Sequence, residues 1–296
     1  MNSPGKHHWW PQAFQRPWAN DTGVVTRFIR DKNGRLVSKK LGPKGIGYER
    51  NLYSMTWDNF ADPQFIETTF FASVIDDPAA KTLAKLIDGK VDELTTEDRS
   101  TLAGFLCLSH FRRADILKPA QDKLEKASRE ILTAAADSDE VYLKNHRPGE
   151  SKKEFITRYA ALQRDILLKD VLKLAVQLPT KERSYFSRIQ ELCWKVVDVS
   201  VSDLALLSSD KPYTLAIGFS DTDNVIMPIS PNKIFLAEPK SGLSIIDGFT
   251  RANARKMVSN LNTHVCQGAK SFIITPSCTP DSALFKFVDK HFKRGT

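Results

Sequence analysis

The hydrophobic pattern of the chain changes period along its length, and that change does most to limit how it can fold. From about residue 62 to 188 the apolar residues recur at helical spacing. After about residue 190 they gather in short β-branched runs. Strand-like residues also open the chain, where Val24-Val25-Thr26-Arg27-Phe28-Ile29-Arg30 leads to Asn33-Gly34 and then Leu36-Val37. Asn-Gly readily supplies the positive φ of a hairpin turn, so 24–41 reads as a β-hairpin. The pattern predicts an α+β fold: an N-terminal β-hairpin packed with a C-terminal mixed sheet, and a helical middle region. The corresponding divisions are 1–60, a basic segment with the hairpin; 61–188, helical; and 189–296, α/β. Together they would form one integrated domain.

Helix signals are dense in the middle. Asp62-Pro63 reads as an N-cap and first-turn proline for a helix carrying Phe65, Ile66, Phe70, Val74 and Ile75. Asp77-Pro78 repeats the device before Leu83, Leu86 and Ile87. Thr95 can cap a third helix, with Glu97 and Asp98 in its first turn. A further helix spans about 119–136. Ser151 with Glu154 forms a capping box for a long helix through Phe155, Val171 and Leu174 that stops at Pro179. Beyond residue 190, strands are expected at 193–197, 204–207, 213–217, 225–227, 234–236 and 271–275, and helices at about 250–267 and 281–292.

The chain has 296 residues and a formal charge of +8. Residues 1–60 hold ten Lys or Arg against four acids, so +6 of the excess lies there. A positive face attracts phosphate-rich partners, so nucleic acid is the partner weighed, against a plain basic surface with none. No apolar run reaches the roughly 18 residues of a membrane helix. The first residues lack the apolar region of a secretory signal, and the cytoplasm is the expected compartment. Cys107, Cys193, Cys266 and Cys278 are widely spaced. His264, Cys266 and Cys278 can be grouped as metal ligands, but lone cysteines read more simply as small buried hydrophobes, and no metal set is assigned.

Five segments together carry a family resemblance. They are His8-Trp9-Trp10-Pro11-Gln12 with Arg16 and Trp18; Gly47-Tyr48-Glu49 with Leu52-Tyr53; Arg112-Arg113; Ser209-Asp210-Lys211-Pro212 followed by Pro228-Ile229-Ser230-Pro231; and a late helix with Asn260 and Asn262. In this order they resemble the mainly bacterial domain-of-unknown-function 4238 family across nearly the whole chain. Gln15 stands where that family usually carries a leucine. The resemblance implies a shared fold and a shared site, and it supplies no activity.

Three residues are candidates for catalysis. His8 titrates near neutrality and can serve as acid or base. Arg113 can hold a phosphate. Asp210, in a Ser-Asp-Lys-Pro turn between apolar runs, can orient His8 or bind a divalent cation. Arg16, Trp18, Glu49, Arg112, Ser209 and Asn262 are candidate binding residues. Each has a plainer reading. His8 can serve the fold, Asp210 can satisfy turn N–H groups, and an inward arginine can pair with Asp210 or Glu49. Trp9, Trp10, Phe14 and Trp18, set among Lys6 and Arg16, can stack nucleic-acid bases or form core. No P-loop, dinucleotide-binding glycine turn, HExxH or GxSxG pattern occurs. The readings compared are a nuclease-like enzyme using His8, Arg113 and Asp210, a non-catalytic nucleic-acid or protein binding module, and, on the resemblance alone, an interaction protein of a defence or stress system.

Overall fold

The computed structural model describes residues 5–55, 64–134, 138–162, 165, 184–218, 220, 222–240, 253–280 and 282–293. The α+β architecture expected from the pattern is present, with strands at both ends and helices between them. The hairpin consists of β2 (Val25–Arg30) and β3 (Leu36–Leu41), with Val25 opposite Leu41 and Arg30 opposite Leu36. Its turn is wider than two residues. Asp31 Oδ1 accepts the N–H groups of Asn33 and Arg35, and Gly34 takes φ +78°, the left-handed conformation a glycine tolerates.

The hairpin does more than pack near the C-terminal region. It shares a sheet with it. β10 (Ile273–Thr275) lies beside β2, with Ile273 opposite Phe28, and β6 (Ser208–Ser209) completes the order β3-β2-β10-β6. A second sheet runs β5 (Cys193–Asp198), β9 (Lys233–Glu238), β8 (Asn224–Ser230), β7 (Thr214–Ala216). Every pairing among the described strands is antiparallel, so the expected mixed sheet is corrected to antiparallel ones. A short ribbon pairs β1 (Lys6–His8) with β4 (Tyr48–Arg50).

The strand expected at 204–207 is also corrected. Leu206 and Leu207 are buried, but their N–H groups go to the Pro231 carbonyl (2.7 Å) and to Asn262 Oδ1 (2.8 Å) instead of a strand partner. Burial alone gave this segment its strand-like appearance.

Among the helices, α1 (Gln12–Gln15) is a single short turn, and Ile66–Asp76 is wound as a π-helix and continues into α2 (Asp77–Ile87). The Asp62-Pro63 cap lies outside the described residues. Thr95 and Asp98 exchange both hydrogen bonds of a capping box at the start of α3 (Thr96–Phe111). Such a cap contributes about 1 kcal/mol. Helix α4 (Ala114–Ala134) begins five residues before the expected Pro119, and α5 (Ser138–Asn145) follows. The Ser151–Glu154 box opens α6, described over 152–162. The later course expected for that helix, through Val171 to Pro179, lies outside the described residues. Helices α7 (Tyr185–Glu191), α8 (Ala254–Gly268) and α9 (Ala283–His291) complete the set. Among the described residues no helix is long and apolar enough to cross a membrane.

Trp9, Trp10, Phe14 and Trp18 are all buried, which places them in the core and corrects the base-stacking reading. Phe14 stacks on Phe105 of α3 with centroids 4.0 Å apart, and Trp9 meets Phe272 just before β10. The N-terminal aromatics thus tie the helical middle to the shared sheet.

Candidate functional site

Helix winding determines which side chains meet. In the π-helix the Asp77 N–H reaches back to the Ala72 carbonyl, five residues earlier. A helix closed this way turns once in about 4.4 residues. Nine residues then make close to two turns, so Glu67 and Asp76 lie on one face, with Phe71 between them. At 3.6 residues per turn they would point in opposite directions.

Arg112, the C-cap of α3, packs on that face. Its side chain is fully buried. Nη1 donates to Asp76 Oδ1 at 2.7 Å, and the guanidinium carbon lies 5.1 Å from the Phe71 ring centroid and 5.3 Å from that of Phe105. Tyr53 donates its hydroxyl to the Arg112 carbonyl at 2.6 Å. Among the described residues Nε and Nη2 have no hydrogen-bond acceptor, and neither Glu67 Oε2 nor His8 Nε2 has a partner. Buried charged groups left half-satisfied are costly and uncommon in a core built only for packing.

The β1 ribbon brings the histidines to this face. Alternation along the strand sends His7 and His8 to opposite sides. His7 is buried; its Nδ1 accepts the Tyr53 N–H, its Nε2 meets Gln64 Oε1, and its ring stacks on Tyr53. His8 is half-buried, and its backbone N–H donates to Glu67 Oε1 at 2.9 Å. Burial holds both imidazoles below their ordinary pKa; for His8 the charges of Lys6, His7 and Lys44 add to this, against the Lys44 carbonyl. Burial pushes the Glu67 carboxyl up to about 7, opposed by the His8 N–H and Arg112 and reinforced by Asp76. Burial likewise raises Asp76 to about 6, against the pull of Arg112. Two carboxyls that exchange protons near neutrality, beside an unsatisfied guanidinium and a neutral histidine, are equipped for acid–base work. Outside this centre, Lys6 Nζ lies 4.4 Å over the Tyr48 ring, and the His8 ring tilts against the same tyrosine.

The structure joins two of the three expected catalytic residues and leaves the third apart. Arg113, 4% exposed, forms a two-bond pair with Asp115 (2.9 and 2.7 Å), and its Nη2 lies 3.9 Å from Asp210 Oδ2. Asp210, 1% exposed, accepts the N–H groups of Lys270, Ser271 and Phe272. Burial raises its pKa, while Arg113 and those three donors oppose the rise. The carboxylate therefore pins β6 to the start of β10, and it has no contact with His8.

Four of the six candidate binding residues, Trp18, Glu49, Ser209 and Asn262, have partners within the fold. Arg112 is in the centre just described, while Trp18 is core and donates to the Leu206 carbonyl. Ser209 Oγ accepts the Lys211 N–H. Asn262 bridges Leu207 and the Ala205 carbonyl. Glu49 pairs with Lys118 at 3.2 Å, and Arg16 is exposed. Among the described residues no group of three or more His, Cys, Asp or Glu is placed to hold a metal ion. Cys107 and Cys266 are buried, which pushes their thiols up to about 12.

Sequence reasoning misses Glu67 and Asp76, and Tyr53 enters it only as part of a motif. The one signal available is a pair of acids within an apolar helix, and α-helical spacing separates them.

The family model described as protein of unknown function (DUF4238) matches residues 6–278, a span that contains every residue of this centre. No curated protein and no solved structure matches the chain. The chain belongs to the DUF4238 family of proteins of unknown function.

Proposed function

We propose that the protein acts on phosphodiesters of nucleic acid, and that the work is done at the Glu67–His8–Arg112–Asp76 centre instead of at His8, Arg113 and Asp210. The observation that carries this reading is the Glu67 carboxyl, raised to about 7, held by the His8 N–H and under the electrostatic influence of Arg112. Arg112, whose guanidinium is fully buried, acts on the centre through its charge and not by touching the substrate. Ionised Glu67 takes a proton from the attacking water as the new P–O bond forms. That proton then passes to the leaving oxygen as the scissile P–O bond breaks. The exposed basic residues of the N-terminal region fit such a substrate. Lys6, Arg16, Lys32, Arg35, Lys39, Lys40, Lys44 and Arg50 are exposed, and none enters an ion pair among the described residues.

The test is incubation of the purified protein with end-labelled RNA and DNA, with and without Mg²⁺. Cleavage is expected, and E67Q should reduce it by about a hundredfold or more. A wild-type protein that cleaves neither polymer ends the enzymatic reading. Cleavage that survives in E67Q removes this centre from it.

The unpaired cations themselves favour a second reading, a non-catalytic nucleic-acid binding module. In that case affinity falls steeply with salt while E67Q binds like wild type, and reversing Lys39 and Lys40 to Glu flattens the log K against log salt slope by about two. Salt-insensitive binding rejects it.

A further inference from the structure

A cavity of about 550 Å³ lies away from the acid–base centre, between α3, α7, the segment leading into β7, and α8. Its volume falls within the roughly 300–1,000 Å³ of small-molecule sites. Its walls are mostly carbon: Pro212, Leu215, Ile217, Leu261 and Val265, with the Cys107 thiol, kept neutral by burial, among them. Phe111 and Tyr185 also line it while remaining 40% and 53% exposed.

The polar groups of the lining are Tyr185, Tyr213, Thr214 and two basic residues, Lys211 and His264. Lys211 and His264 are exposed, and neither side chain has a hydrogen-bond or ion-pair partner among the described residues. The segment that presents Lys211 is rigid. Its N–H is held by Ser209 Oγ at 3.0 Å, and Asp210 is anchored to the start of β10. The Lys211 backbone is therefore fixed at one side of the cavity by the same turn whose carboxylate has no catalytic contact.

We propose that this cavity binds an amphiphilic carboxylate, with the chain in the apolar hollow and the carboxylate on Lys211 and His264. An uncharged ligand would leave the two basic groups unused. A small polar anion would leave the carbon walls wet. A molecule with both parts matches the carbon walls and the basic pair together.

Gly268 supplies a clean test. It is the last residue of α8 and lines the cavity; its φ lies outside the left-handed region, and a Cβ built there meets nothing within 4 Å. G268L therefore puts a side chain into open space without backbone strain. The experiment is titration calorimetry of the full chain with dodecanoate and with dodecanol, below their aggregation limits. Dodecanoate is expected to bind one-to-one, and dodecanol about tenfold or more weakly. G268L should abolish binding of both with an unchanged circular dichroism spectrum. K211E, a surface change with no packing role, should weaken dodecanoate about tenfold and leave dodecanol unaltered. Absence of dodecanoate binding to the wild type overturns the proposal. So do equal affinities for acid and alcohol, and binding that persists unchanged in both variants.

Discussion

Replacing Glu67 with an uncharged amide, in E67Q, should change how stability depends on pH, by an amount that follows from the carboxyl's surroundings. In the folded protein Glu67 keeps its proton up to about pH 7, against an ordinary 4.5. Between those values the native state binds more protons than the unfolded chain, so stability falls as pH rises through the window. At about 1.4 kcal/mol per unit the full shift is worth about 3 kcal/mol. Partial solvent contact of this half-buried residue reduces that to about 2 kcal/mol. Asp76 adds a change of the same sign at lower pH, because burial raises it to about 6. His7 and His8, held below their ordinary value, act in the opposite direction: they cost stability as pH falls. The wild-type curve alone therefore mixes signs, and the difference between variant and wild type isolates Glu67. The side-chain amide of E67Q would still accept the His8 N–H and could not ionise. Urea denaturation followed by tryptophan fluorescence at intervals from pH 4.5 to 8 gives both curves. The variant should gain about 2 kcal/mol relative to wild type across that range. Parallel curves, with a constant difference, would show that Glu67 ionises normally and would remove the basis for its role as a base.

Three further substitutions probe the interactions around this centre and the sheet. R112M strips the partner from buried Asp76; the cost should be about 3–5 kcal/mol at pH 8, and clearly less at pH 5, where Asp76 is protonated, as chemical denaturation at the two pH values will show. D210N weakens the acceptor that gathers three N–H groups at the start of β10 and leaves Arg113 with Asp115 alone, so calorimetry should record a loss of about 2–4 kcal/mol; a loss under about half a kcal/mol would contradict the structural role. Gly47 sits at φ +67° with a would-be Cβ 3.1 Å from Trp10 Cβ and 3.2 Å from the Trp10 carbonyl oxygen. G47A should therefore cost about 1–2 kcal/mol from backbone strain and more from crowding, read as a lowered Tm.

The parts of this fold that were legible in the sequence obey local rules. The Thr95 and Ser151 capping boxes form because their partners lie three residues away and nothing distant is needed. The hairpin is set by a short turn, and even there Asp31, not Asn33, organises the loop. Errors begin where a distant residue takes over a local task. The segment 204–207 has the composition of a strand, yet Asn262, more than fifty positions on, accepts the Leu207 N–H that a neighbouring strand would otherwise take. Asp210 shows the same substitution in reverse: a residue that reads as turn chemistry holds the N–H groups of residues 270–272.

The candidate centre escapes notice for a different reason, which lies in the ruler used to read a helix. Apolar spacing of 3.6 assigns Glu67 and Asp76 to opposite sides, one of which must then be solvent, and two solvated acids attract no attention. Under π winding the same two residues flank Phe71; Asp76 pairs with the Arg112 guanidinium, and Glu67 feels its charge. A π-helix is rare because its hydrogen-bond geometry is poorer than that of the α-helix, and it persists where a packed neighbour favours it. Arg112 is that neighbour here: its ion pair with Asp76 and its contact with Phe71 both require the wider turn. The winding and the arginine therefore depend on each other. Loss of the guanidinium in R112M should let the segment relax toward α-helical spacing and carry Glu67 away from the His8 N–H. Amide hydrogen exchange would register this as faster exchange at His8 together with residues 72–77. Protection that stays unchanged at His8 while R112M is destabilised would show that the π-helix stands without its arginine.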